Sequence, residues 1–98
     1  MKLTVSNIEI IQKGSLLYND KYSLLVLEWR HSLRNAWEGT VRNLNSKKEG
    51  QLGLMLMEDG SIQTLLILDE VKYQMEPTDW TVTTLYNRNM ESILGLSN

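Results

Sequence analysis

The sequence predicts a mainly β domain: a small antiparallel barrel or sandwich of six to seven short strands, with α+β as the alternative arrangement. Three observations lead there. Apolar residues alternate with polar ones over short runs; turn signals (Gly, Asn-Asp, Asp-Gly, Pro) recur at about ten-residue spacing; and Gln51 to Leu68 reads as two strands around Asp59-Gly60. Ninety-eight residues, 42% of them apolar, make one β-rich domain over 1–98 with a single modest core. No run reaches the about 18 to 20 apolar residues needed to cross a bilayer. The N-terminal stretch has one Lys, then alternates with polar residues and lacks a small-residue cleavage site, unlike a signal peptide. The absence of cysteine excludes a disulfide framework and thiolate chemistry, and fits a cytoplasmic location.

Taken in order, Lys2 to Gln12 alternates as Leu3 and Val5, then changes phase at Ser6-Asn7, which predicts a bulged or bent strand. After the Lys13-Gly14-Ser15 turn, Leu16 to Tyr18 and Tyr22 to Trp29 form the arms of a hairpin around Asn19-Asp20. In the longer arm Leu25, Leu27 and Trp29 share one face and Tyr22, Leu24 and Val26 the other. From Arg30 to Glu38 alternation stops; Trp29, Leu33, Ala36 and Trp37 fall at i, i+4, i+7 and i+8, which predicts a short amphipathic helix ended by Gly39. Thr40 to Leu44 is a short strand, and Asn45 to Gly50 a polar loop.

The central hairpin follows. Asp-Gly suits both positive-φ positions of a type I′ turn, so Glu58 is expected opposite Ser61, Met57 opposite Ile62, and Met55 opposite Thr64. Met57, Met55, Ile62, Thr64 and Leu66 then share one face, and Leu52, Leu54, Leu56, Leu65 and Ile67 the other. Both faces are apolar near the base, so the hairpin needs cover on two sides. Beyond it, Val71 to Met75 reads as a strand with one wet face, stopped by Pro77. Trp80 to Tyr86 reads as a last strand, and Asn87 to Leu94 as a short C-terminal helix capped by Asn87.

Charge is unevenly distributed behind the net −2. Arg30 to Lys48 holds five bases against Glu38, a local +4, while the residues from Glu49 onward sum to −6. Such a gradient steers charged partners within a Debye length of about 10 Å at 0.1 M salt.

Signals for chemistry are sparse. His31 is the only histidine, and its neighbour Ser32 would not face it on a helix, so it reads as a surface or interface side chain rather than a general base. Glu58-Asp59 and Asp69-Glu70 are adjacent pairs in turns, whose side chains diverge; neither forms a metal-ligand set, and no cofactor is implied. No glycine-rich loop sits between a strand and a helix as phosphate binding requires.

These features favour a small non-catalytic binding or regulatory protein of inhibitor type. It would act through a protein partner or as a homodimer, with Met55, Met57, Ile62 and Thr64 as the partner interface because methionine-rich surfaces adapt to what they meet. The alternative is a small β-barrel that binds single-stranded nucleic acid through the basic and aromatic segment 29–48: Trp29, Arg30, Arg34, Trp37, Arg42, Lys47 and Lys48.

Overall fold

A computed structural model describes residues 1–68, 71–72, 76–77 and 79–83, with backbone alone for 71–72 and 76–77. The chain forms a mostly β domain, one antiparallel sheet curled into a half-barrel. The strands are β1 (Leu16–Tyr18), β2 (Ser23–Leu33), β3 (Ala36–Asn43), β4 (Glu49–Leu56), β5 (Ile62–Leu68), β6 (Val71–Lys72), β7 (Glu76–Pro77) and β8 (Thr81–Thr83). Their order across the sheet is β6-β5-β4-β3-β2-β1-β8, with β7 also on β5. From β1 to β5 every neighbour in space is a neighbour in sequence, as short turns dictate. The pairing of β8 with β1 brings Val82 opposite Leu17. The Cα radius of gyration, 12.7 Å, matches the about 13 Å of a packed chain of this length.

One face of this sheet is dry. Leu24 and Val26 of β2, Trp37 and Val41 of β3, Leu52 and Leu54 of β4, and Ile62, Leu66 and Leu68 of β5 point inward with Trp80 and Val82. Alternation produces this directly: β5 is buried at every second position from Ile62 to Leu68. The N-terminal segment supplies part of the cover, adding Leu3, Ile8 and Ile11 to the same cluster. Across the interior, the Trp80 indole Nε1 donates to Thr64 Oγ1 at 2.9 Å, joining the approach to β8 with β5. A buried indole N–H needs such a partner, and β5 places a hydroxyl there among aliphatic side chains.

Several expectations are corrected. The helix over 30–38 is absent; the segment is the end of β2, a turn at Arg34-Asn35 and the start of β3, with Arg30 opposite Glu38 and His31 opposite Trp37. The helical spacing of Trp29, Leu33, Ala36 and Trp37 arises by coincidence, because a bulge between His31 and Leu33 shifts the phase of an extended strand. A second bulge, between Val26 and Glu28, undoes the expected faces of the Tyr22–Trp29 arm. Trp29 lies opposite Gly39 and packs against the core cluster that holds Leu24 and Val26.

The central hairpin keeps its strands but not its register. Leu56 opposes Ile62, Met55 opposes Gln63 and Leu54 opposes Thr64. The loop has three residues, not two: Met57 N donates to Ser61 O at 2.9 Å, Gly60 N donates to Met57 O at 3.0 Å, and only Gly60 has positive φ (86°). A slip of one residue exchanges faces. Leu52, Leu54, Ile62, Thr64 and Leu66 are therefore buried, while Met55, Gln63, Leu65 and Ile67 are half-buried on the outer side.

At the N-terminus, Lys2 makes a single bridge to Thr81. The chain then turns at Val5 to Asn7, where a bulge or bend was expected, and continues as a 3-10 helix at Ile8–Ile10 rather than as a strand. The first hairpin around Asn19-Asp20 forms as expected, with Tyr18 opposite Ser23 and Asn19 Oδ1 accepting from Lys21 N and Tyr22 N at 2.9 Å each. The C-terminal helix over 87–94, and the parts of the last strands at 73–75 and 84–86, lie outside the described residues.

Candidate functional site

Two hairpin tips meet at one end of the half-barrel. The β2–β3 turn is tied to the β4–β5 hairpin by Leu56 N donating to Asn35 O at 2.8 Å and by Asn35 Nδ2 donating to Leu56 O at 3.0 Å. Those two bonds fix the tips side by side. Register does the rest: Leu33 lies opposite Ala36, and Ala36 opposite Met55, so the three share the outer face, where Met57 continues the line past Leu56. Leu33 is 66% exposed and Met57 38%, two of the four exposed large hydrophobic residues among those described. Asn35, Leu56, Met57, Glu58, Asp59, Ser61 and Gln63 line an open cleft of about 480 Å³ beside them.

The same two tips carry charge. Arg34 is exposed on the β2–β3 turn, and Glu58 and Asp59 are exposed on the β4–β5 loop. Among the described residues the ion pairs are Lys2–Asp79, Arg30–Glu38 and Arg42–Glu49, and neither Arg34 nor the two loop acids enter any of them. Asp59 instead accepts from Ser61 Oγ at 2.6 Å and Ser61 N at 2.9 Å, bonds that hold its carboxyl below the ordinary 3.8.

Of the four residues expected to form a partner interface, Met55 and Met57 are on the outer rim, whereas Ile62 and Thr64 are buried on the inner face at 7% and 6% exposure. The one-residue difference in loop length separates the two pairs. Leu33, missed by sequence reasoning, joins the methionines; its place in an apparent helical stripe hid it.

The basic and aromatic set is dispersed. Arg30 Nε donates to Glu38 Oε1 at 3.0 Å, and Arg42 donates to Glu49 Oε2 at 2.9 Å, so both guanidiniums are neutralised across the outer face. Lys47 and Lys48 sit in the β3–β4 connection, Lys47 with φ of 65°. Trp37 is 7% exposed, and Trp29 is half-buried against Gly39, where an added Cβ would lie 2.9 Å from the indole.

His31 stacks on Trp37 with ring centroids 4.7 Å apart and planes 9° from parallel, and its Nε2 donates to the Arg34 carbonyl at 3.0 Å. That bond assigns the proton to Nε2 and fixes the turn conformation. Ser32 Oγ donates to Ala36 O at 3.3 Å and so does not address the imidazole. Among the described residues no three His, Asp or Glu side chains converge as a metal site would require, and no helix is long and apolar enough to cross a membrane.

No family model, no curated protein and no solved structure matches this chain.

Proposed function

We propose that this protein is a non-catalytic binding protein whose contact surface is the outer rim at the paired hairpin tips. The observation that carries the reading is the exposure of Leu33 and Met57 on two hairpin tips tied together by the Asn35–Leu56 hydrogen bonds, with Arg34, Glu58 and Asp59 exposed on the same turns. Apolar residues exposed singly are ordinary, but two of them on tied hairpin tips that also carry exposed charge have the composition of a protein contact. Methionine adds adaptability to that surface.

Single-stranded nucleic acid is the competing reading. Its weakness is electrostatic and geometric: Arg30 and Arg42 are engaged by Glu38 and Glu49, and Trp37 offers little free ring. The test is affinity capture from the native cell with wild type and with the Leu33→Asp/Met57→Asp variant as bait. Proteins held in stoichiometric amount, copies of this chain included, should be lost with the variant while its melting temperature is unchanged. An identical captured set, or none, removes the reading; tryptophan quenching by an oligonucleotide at low salt transfers it to nucleic acid.

A further inference from the structure

Asp59-Gly60 is the only Asp-Gly pair in the chain, and no Asn-Gly pair occurs. The pair carries a chemistry of its own. The backbone nitrogen that follows an Asp residue is a nucleophile within reach of the side-chain carbonyl carbon, and glycine, with no Cβ, leaves that approach open. Attack by Gly60 N on Asp59 Cγ closes a cyclic succinimide and releases water, made from the carboxyl OH and the amide hydrogen. Water then adds to either ring carbonyl and opens the ring. Opening at the main-chain carbonyl leaves an isoaspartyl link, in which the backbone runs through Cβ and Cγ and is longer by a methylene. Water leaves and returns, so the overall change is an isomerisation that needs no oxidant or cofactor. The loop from Met57 to Gly60 is exposed to the solvent that supplies the water.

The folded hairpin holds both reacting groups elsewhere. Gly60 N donates its hydrogen to Met57 O at 3.0 Å, which fixes the plane of the nucleophilic amide. Asp59 Oδ1 accepts from Ser61 Oγ at 2.6 Å and from Ser61 N at 2.9 Å, an Asx turn that aims the carboxyl past the glycine. The same two bonds favour the ionised carboxylate, a poor electrophile. Hydrogen bonds, and not burial, therefore restrain the tip. We propose that Asp59-Gly60 is a site of covalent self-modification, an isomerisation that Ser61 holds in check and that proceeds when the Ser61 bonds open. The product changes the tip. Its added methylene lengthens the three-residue loop closed by the bond from Met57 N to Ser61 O, and its carboxylate moves to Cα, off the Asx turn.

Ageing the purified chain at neutral pH and physiological temperature, with peptide mapping at intervals, tests this. Isoaspartate appears as a second form of the fragment spanning the tip, of equal mass but different elution and fragmentation. It should form fastest in a free peptide spanning 55–65 and slowest in wild type. Ser61→Ala should age about threefold to tenfold faster than wild type, the factor that follows from losing one exposed hydrogen bond to a charged group. Ser61→Thr, which keeps the hydroxyl, should age as wild type does. Gly50→Ala weakens the sheet at the far end of β4 and leaves the tip bonds in place, so its rate should match wild type and separate local opening from global unfolding. Wild type ageing as fast as the peptide overturns the proposal. So does Ser61→Ala ageing as slowly as wild type, Gly50→Ala ageing as fast as Ser61→Ala, or isoaspartate forming in none of the proteins.

Discussion

Replacing Thr64 by Val isolates the Trp80–Thr64 hydrogen bond across the interior. Valine keeps the shape of threonine, so no cavity opens, but the Trp80 indole loses its acceptor 2.9 Å away. Trp80 is 2% exposed and Thr64 6%, so water does not replace the lost partner. An unsatisfied buried donor costs about 1–3 kcal/mol. Removing a neutral hydroxyl from an apolar site returns part of that, leaving an expected loss of about 1–2 kcal/mol. For a domain of this size the melting temperature should fall by about 5–10 °C.

Thr64→Ser is the contrast: it keeps the acceptor and loses a methyl group, at about 1 kcal/mol. A cycle with Trp80→Phe, read by urea unfolding, should give a coupling energy of about 1 kcal/mol between the two sites. Coupling of zero, or a Thr64→Val protein as stable as wild type, would refute the view that this bond holds β5 to the approach of β8.

Two other outcomes are expected. Gly50→Ala should destabilise by about 2 kcal/mol or more in denaturant unfolding, because its Cβ would lie 2.1 Å from the Ile67 carbonyl oxygen. Gly53→Ala, whose Cβ meets nothing nearer than 4.0 Å, should be neutral or slightly stabilising through the unfolded chain. The Asp59 carboxyl is held below 3.8 by Ser61, so the stability it contributes is present above that value and lost as pH falls through the lower folded value. Carbon-detected titration should place its midpoint below that of the same residue in a peptide spanning 55–65, and equal midpoints would contradict the hydrogen bonds seen at the turn.

The β class and most strand positions were legible because apolar runs of strand length lie between turn signals, with Asn19-Asp20 and Asp59-Gly60 marking turns. Register was not. Asp-Gly satisfies a two-residue turn with two positive φ angles and equally a three-residue loop with one, and only Gly60 takes positive φ. The signal that separates them was present: Leu52, Leu54 and Leu56 align with Ile62, Thr64 and Leu66 on one face only under the longer loop. The false helix at 30–38 had a different origin. The bulge between His31 and Leu33 leaves Leu33 on the outer face while Trp29 and Trp37 lie on the inner one, so the helical spacing was met by residues that share no face. The rim was hidden for the same reasons, since locating it required both the true register and the recognition of Leu33 as a strand residue.

The single bridge from Lys2 to Thr81 bears on how far the sheet can grow. The outer margin of β8 meets the N-terminal segment for one residue pair, reinforced by Leu3 N donating to Trp80 O and Val82 N donating to Met1 O, each at 2.8 Å. The chain then turns away into its 3-10 helix. An incoming strand would find those backbone groups already engaged, and beside them a lysine that is costly to desolvate. Among the described residues the ladder beyond β8 thus meets the N-terminal segment, and the same few residues that seal the core occupy that margin against strand addition.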